Sequence, residues 1–131
     1  MGGLVLKLGP KERVLINGVV VENGDRRTRL SILTKDANIL RLRDALHPSE
    51  AKTPVRRVCY ILQLILSGNV EESEGRQQVL GGISQLKEAL IDSESLDILH
   101  VTQELVADSK FYPALKKVRA LLPKEDLLLA T

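Results

Sequence analysis

At 131 residues and 14.5 kDa, the chain is the size of one ordinary domain and needs no disulfide or metal to close a core. Hydrophobic residues make up 44% of it, which excludes disorder along its length, and its apolar runs fall far short of the roughly 20 residues of a membrane-spanning helix. The formal charge of +2 conceals an asymmetry: residues 1–57 carry 12 Lys and Arg against 6 Asp and Glu, and residues 58–131 carry 7 against 11. Such a split directs a polyanion to the basic end; the bland alternative is a pair of solvated surfaces. Cys59 is alone, and Lys7, Lys11, Glu12 and Arg13 interrupt any signal-peptide pattern, so the expected location is the cytoplasm.

Taken in chain order, Leu4, Leu6 and Leu8 alternate with Val5 and Lys7, a period-2 pattern that predicts a strand ended by Gly9-Pro10. Arg13 to Ile16 and Val19 to Glu22 flank Asn17-Gly18, a strong short hairpin signal because both turn positions favour positive φ. A second turn is expected at Asn23-Gly24-Asp25, then a strand from Arg29 to Leu33 with Leu30 and Ile32 on one side. A further extended piece runs from Asn38 to Leu42.

The character changes near His47-Pro48. Thr53-Pro54 reads as N-cap and first position of a helix running to Leu66, with Val58, Ile61, Leu62 and Ile65 at helical spacing and Ser67-Gly68-Asn69 as the stop. A second helix is expected over Gln77 to Ile91 on a stripe of Val79, Ile83, Leu86 and Leu90. Gly81-Gly82 inside it costs about 1 kcal/mol per glycine relative to alanine, and marks either a close approach or a poor helix. Ser95 to Ala107 forms a third and Pro113 to Leu122 a fourth, closed by Pro123, with one more turn at the end. The predicted fold is α+β: a basic antiparallel β unit over 1–46, a connection over 47–53, and a bundle of about four helices over 54–131, together one compact domain.

The run from Leu6 to Leu33, the segment Ile39 to Leu46 and the segment Thr53 to Leu66 together resemble the FlbT family of flagellar regulators. The matching features are Lys11-Glu12-Arg13, Ile16-Asn17-Gly18, Asn23-Gly24-Asp25-Arg26-Arg27, Ile39-Leu40-Arg41 and Thr53-Pro54-Val55-Arg56-Arg57. The resemblance extends to the ending, Phe111 to Leu129, so it spans nearly the whole chain. It implies a post-transcriptional regulator that associates with the 5′ untranslated region of flagellin messenger RNA, usually promoting its decay, alongside a partner called FlaF. The sign of the effect varies within the family. The N-terminal β segment is also loosely similar to CsrA-type RNA binders.

The sharpest candidate site is Arg26, Arg27 and Arg29, which follow a glycine turn; a planar guanidinium suits phosphate because it offers two parallel hydrogen bonds. The competing reading pairs these arginines with Asp25 or Glu22 on a solvated hairpin. Arg41 and Arg43 alternate along an extended run and either widen the patch or guard an edge strand. Arg56 and Arg57 lie in a first helical turn, where the dipole disfavours cations, so each needs a phosphate or an acidic partner such as Glu50.

Three aromatic residues exist, Tyr60, Phe111 and Tyr112, and none lies in the basic segment. Stacking of bases on a sheet face therefore has no platform, and Phe111 and Tyr112 are expected to pack the helices. His47 and His100 lack ligand-spaced partners, Cys59 reads as a buried thiol, and no nucleophile or paired-carboxylate context appears, so neither catalysis nor a metal or cofactor is expected. The expected partners are the flagellin messenger leader and, through the acidic helical half with its Leu127-Leu128-Leu129 tail, flagellin or a FlaF-like protein. A short β unit with open edges also suits a homodimer.

Overall fold

The computed structural model describes residues 4–35 and 37–130 and divides into two compact units, Met1–Ala45 and Leu46–Thr131. In the first unit the alternating leucines make β1 (Leu4–Leu8), with Leu6 and Leu8 buried. The hairpin forms as expected: β2 (Arg13–Ile16) and β3 (Val19–Glu22) pair antiparallel, and Asn17 and Gly18 both take positive φ, 48° and 84°. The Asn17 side chain also accepts from Asn38 N at 2.9 Å, which fixes the approach of β5 (Ile39–Arg41) to β2.

The second expected turn is different in kind. Gly24 does not take positive φ, the chain bends at Asp25-Arg26 instead, and the next strand, β4 (Thr28–Ile32), pairs with β1 rather than β3. Asn23 explains this. Its Nδ2 donates to the carbonyls of Gly9 at 2.7 Å and Arg26 at 2.9 Å, so it carries the chain from one sheet to the other. The result is a two-stranded sheet, β1-β4, and a three-stranded one, β3-β2-β5. Leu6, Leu8, Val14 and Ile39 form the core between them, with Leu30 and Ile32 packed against it.

In the second unit Thr53 caps α1 (Pro54–Ser67) and Gly68 ends it at φ 78°. The polar connection before it holds a single 3-10 turn, Pro48–Glu50, closed by a capping box between His47 and Glu50. Buried Gln63 is satisfied on both sides by the backbone of Leu46, accepting at 2.6 Å and donating at 3.1 Å.

Helix α2 (Glu72–Ala89) starts five residues before the expected Gln77, on an acidic first turn that suits the helix dipole. Val79, Ile83, Leu86 and Leu90 are all buried. The glycine pair resolves into two cases. A Cβ on Gly82 would stand 2.8 Å from Val58 Cγ2 of α1, whereas one on Gly81 meets nothing within 4 Å. Gly81→Ala is therefore expected to stabilise by up to about 1 kcal/mol, and Gly82→Ala to destabilise by about 1–3 kcal/mol through overpacking; thermal unfolding of the two variants checks the opposite signs.

Helix α3 (Ser93–Ala107) buries Leu99 and Val106 but leaves Val101 exposed. The expected fourth helix is divided: α4 (Phe111–Val118), a 3-10 turn at Arg119–Leu121, then α5 (Leu122–Leu129). Pro123 does not terminate a helix. It sits at the start of α5, where its missing N–H has no partner to lose.

Carboxylate and ammonium contacts help to seat α5. Glu125 is buried and accepts from Thr53 Oγ1 and from Val55 N at 2.8 Å, closing the N-terminus of α1. Lys124 pairs with Asp92, the N-cap of α3, whose carboxylate also accepts from Ser95 N at 3.0 Å. The Lys124 ammonium and the Ser95 hydrogen bonds hold the Asp92 carboxyl down at about 2. A lowered carboxyl contributes stability above its unfolded value that disappears as pH falls through the folded one. The melting-temperature gap between wild type and Asp92→Asn should therefore be full near neutrality and close as pH falls from about 4 to about 2.

Candidate nucleic-acid interface

The β1-β4 strand pair sets Lys7 and Arg29 on the face turned away from the core. Because Leu6, Leu8 and Leu30 point inward, alternation turns Lys7 and Arg29 outward, and the register puts these two directly opposite one another. Like charges facing across a strand pair are destabilising, so an anion between them relieves the strand pair. Arg26 and Arg27 precede β4 on a segment fixed at the Arg26 carbonyl, which accepts from Asn23 Nδ2 at 2.9 Å and Thr28 Oγ1 at 3.1 Å.

The carboxylates that could have neutralised this cluster are engaged elsewhere. Asp25 pairs with Lys11 at 3.1 Å and Glu22 with Arg13 at 2.9 Å, while Arg26, Arg27 and Arg29 have no carboxylate partner among the described residues. A groove of about 580 Å³ runs beside them, lined by Lys7, Gly9, Glu12, Arg27, Thr28, Arg29, Arg41 and Arg43 among others. Glu12 is among its lining residues. Its carboxylate accepts from Gly9 N at 2.9 Å and Arg41 Nη1 at 2.6 Å, and the Gly9 amide and the arginines hold its pKa below the usual carboxylate value.

Arg41 is thereby committed internally: it also donates to the Lys7 carbonyl at 2.9 Å and so ties β5 to β1. Arg43 is not on an extended run with it. It belongs to a 3-10 turn, Leu42–Asp44, and approaches Glu12 at 3.8 Å. The acidic partner of Arg56 is not Glu50, which accepts from His47 N instead. Arg56 grips Asp126 through both nitrogens, at 2.7 and 3.2 Å, and reaches Glu125 at 3.4 Å. With Glu125 already on Val55 N, the start of α1 is filled by the protein's own carboxylate. Arg57 donates to the Lys52 carbonyl at 3.3 Å and is exposed.

Lys7 and Glu12 were not singled out from sequence. The lone charge inside the alternation of β1 was the one available signal for Lys7; its place opposite Arg29 depends on strand order. Cys59 is buried and its thiol is pushed up to about 12 by that burial, so it is an inert core group. Phe111 is buried beneath the Arg76 guanidinium, 5.7 Å from the ring centre. His100 lies on the surface beside Lys87. Among the described residues, no group of three or more His, Cys, Asp and Glu could hold a metal ion, and no helix is long and apolar enough to cross a membrane.

Fold and site together define an α+β protein whose distinguishing chemistry is a cation-rich groove on a small β unit, beside which Arg26, Arg27 and Arg29 have no carboxylate partner among the described residues. The family model for the flagellar protein FlbT matches residues 4–129, and the chain belongs to that family. Relatives from Brucella anthropi, Brucella ovis and Brucella abortus, each named "Probable flagellum biosynthesis repressor protein FlbT", are 32% identical over 128 residues, covering 95% of this chain and 80% of theirs. That name describes a repressor rather than an enzyme. No solved structure matches the chain.

Proposed function

We propose that the protein regulates flagellin synthesis after transcription by binding the 5′ untranslated region of flagellin messenger RNA in the cytoplasm, altering its stability or translation. Family membership and the repressor name of the relatives support the flagellar regulatory role. The observation that carries the RNA part is the set of unpaired guanidiniums at Arg26, Arg27 and Arg29 beside Lys7 and the groove. Arginine forks aligned along a strand and its approach suit successive phosphates. Arg41 and Arg56 act as ties within the fold, leaving Arg57 and Arg43 as secondary candidates. The test is a gel shift of a flagellin leader RNA with wild type and with Arg26→Ala/Arg27→Ala. Weaker binding and a shallower salt dependence in the variant are expected; equal binding at every salt concentration removes the cluster from the site.

One observation favours a second reading, an adaptor that engages flagellin or a FlaF-like protein and reaches messenger RNA only indirectly. Leu127, Leu128 and Leu129 of α5 are 70%, 52% and 63% exposed, more apolar surface than a short terminal helix ordinarily leaves in water. Copurification with such a protein, joined to failure to shift leader RNA, would decide for the adaptor. A homodimer built on the open strand edges is compatible with either reading.

A further inference from the structure

We infer that the groove of the β unit reads the charge of an RNA backbone and does not read base sequence, so that this protein alone does not discriminate one leader from another. The inference rests on the RNA reading above. Sequence readout needs hydrogen-bonding groups free to meet base edges and held in one geometry, or aromatic faces on which bases stack. Among the described residues, the uncharged and acidic side chains beside this groove are already engaged. The Asn23 amide donates to the Gly9 and Arg26 carbonyls. The Thr28 hydroxyl donates to the Arg26 carbonyl. The Glu12 carboxylate accepts from Gly9 N and Arg41, which in turn holds the Lys7 carbonyl.

What faces outward with its charge uncompensated is Lys7, Arg26, Arg27 and Arg29. Their side chains are exposed, and no hydrogen bond to a described residue orients any of the four heads. A guanidinium can meet guanine in two hydrogen bonds, but discrimination requires that its fork be positioned beforehand, and here no described residue positions it. Phosphates, spaced regularly and indifferent to base identity, fit mobile cations on a rigid strand frame. Selection of the flagellin transcript then falls to a second protein that joins the complex.

The experiment measures affinity of the full-length protein for a flagellin leader RNA and for a shuffled RNA of the same length and composition, between about 50 and about 200 mM salt. The two dissociation constants are expected to agree within about threefold, with parallel salt slopes, and Arg27→Ala/Arg29→Ala is expected to weaken both alike. A preference for the leader of about tenfold or more that persists at the higher salt overturns the inference while leaving the RNA reading intact. Failure to bind either RNA at low salt overturns both.

Discussion

A chain with Arg26, Arg27 and Arg29 all replaced by alanine is expected to bind a flagellin leader RNA about a hundredfold more weakly at about 50 mM salt. Counterion release sets this magnitude. Each phosphate neutralised on a single strand adds about 0.7 to the steepness of log affinity against log salt, so three lost contacts flatten the slope by about 2. At about 50 mM this amounts to nearly tenfold per contact, and a hundredfold allows for one arginine engaging only partly.

The substitutions lie on exposed positions, where changes stay within about 0.5 kcal/mol. Losing Arg29 also relieves its opposition to Lys7 across β1 and β4. The triple variant should therefore melt where wild type melts, and titrations at several salt concentrations read binding without a folding artefact. An unchanged slope would transfer the RNA contact to another part of the chain.

Glu125→Ala is expected to lower stability by about 3 kcal/mol and the melting temperature by about 10 °C. The carboxylate is buried and joins three groups: the Thr53 hydroxyl, the Val55 amide at 2.8 Å and the Arg56 guanidinium at 3.4 Å. Its removal orphans a buried N–H, which costs about 1–3 kcal/mol, and withdraws half the compensation of a guanidinium that keeps only Asp126. Glu125→Gln keeps an acceptor for Val55 N but not the charge, and should fall between wild type and alanine. Thr53→Ala removes the cap and one of the donors to Glu125 but leaves the carboxylate on Val55 N and Arg56, and should cost about 1–2 kcal/mol. Denaturant unfolding of the three variants checks that order, and a loss below about 1 kcal/mol for Glu125→Ala would mean that α5 is not held by this contact.

Local signals in the chain translated closely into local structure. Asn17-Gly18 became a positive-φ hairpin turn, Thr53-Pro54 a helix start, Gly68 a left-handed stop, and the stripe Val79, Ile83, Leu86 and Leu90 a buried face. Each depends on residues within a turn or two of one another, where side-chain chemistry acts directly on the backbone. The errors also have local causes. The acidic opening of α2 lacks apolar periodicity, and Pro123 is compatible with the end of one helix and the start of the next.

The seven candidate arginines were legible as residues, and their excess of charge as a property of the N-terminal half; the division of labour among them was not. Arg41 meets Glu12, 29 residues away in the chain, and Arg56 meets Asp126, 70 residues away. An ion pair depends on distance in space, and composition is blind to which carboxylate arrives. The strand order that sets Lys7 opposite Arg29 arises because Asn23 turns the chain from one sheet to the other. By itself, then, the sequence determined the elements, the α+β class and a basic half suited to a polyanion. Tertiary pairing alone decided which cations remain uncompensated, since only the folded chain brings some arginines to their acids and leaves Arg26, Arg27 and Arg29 facing water.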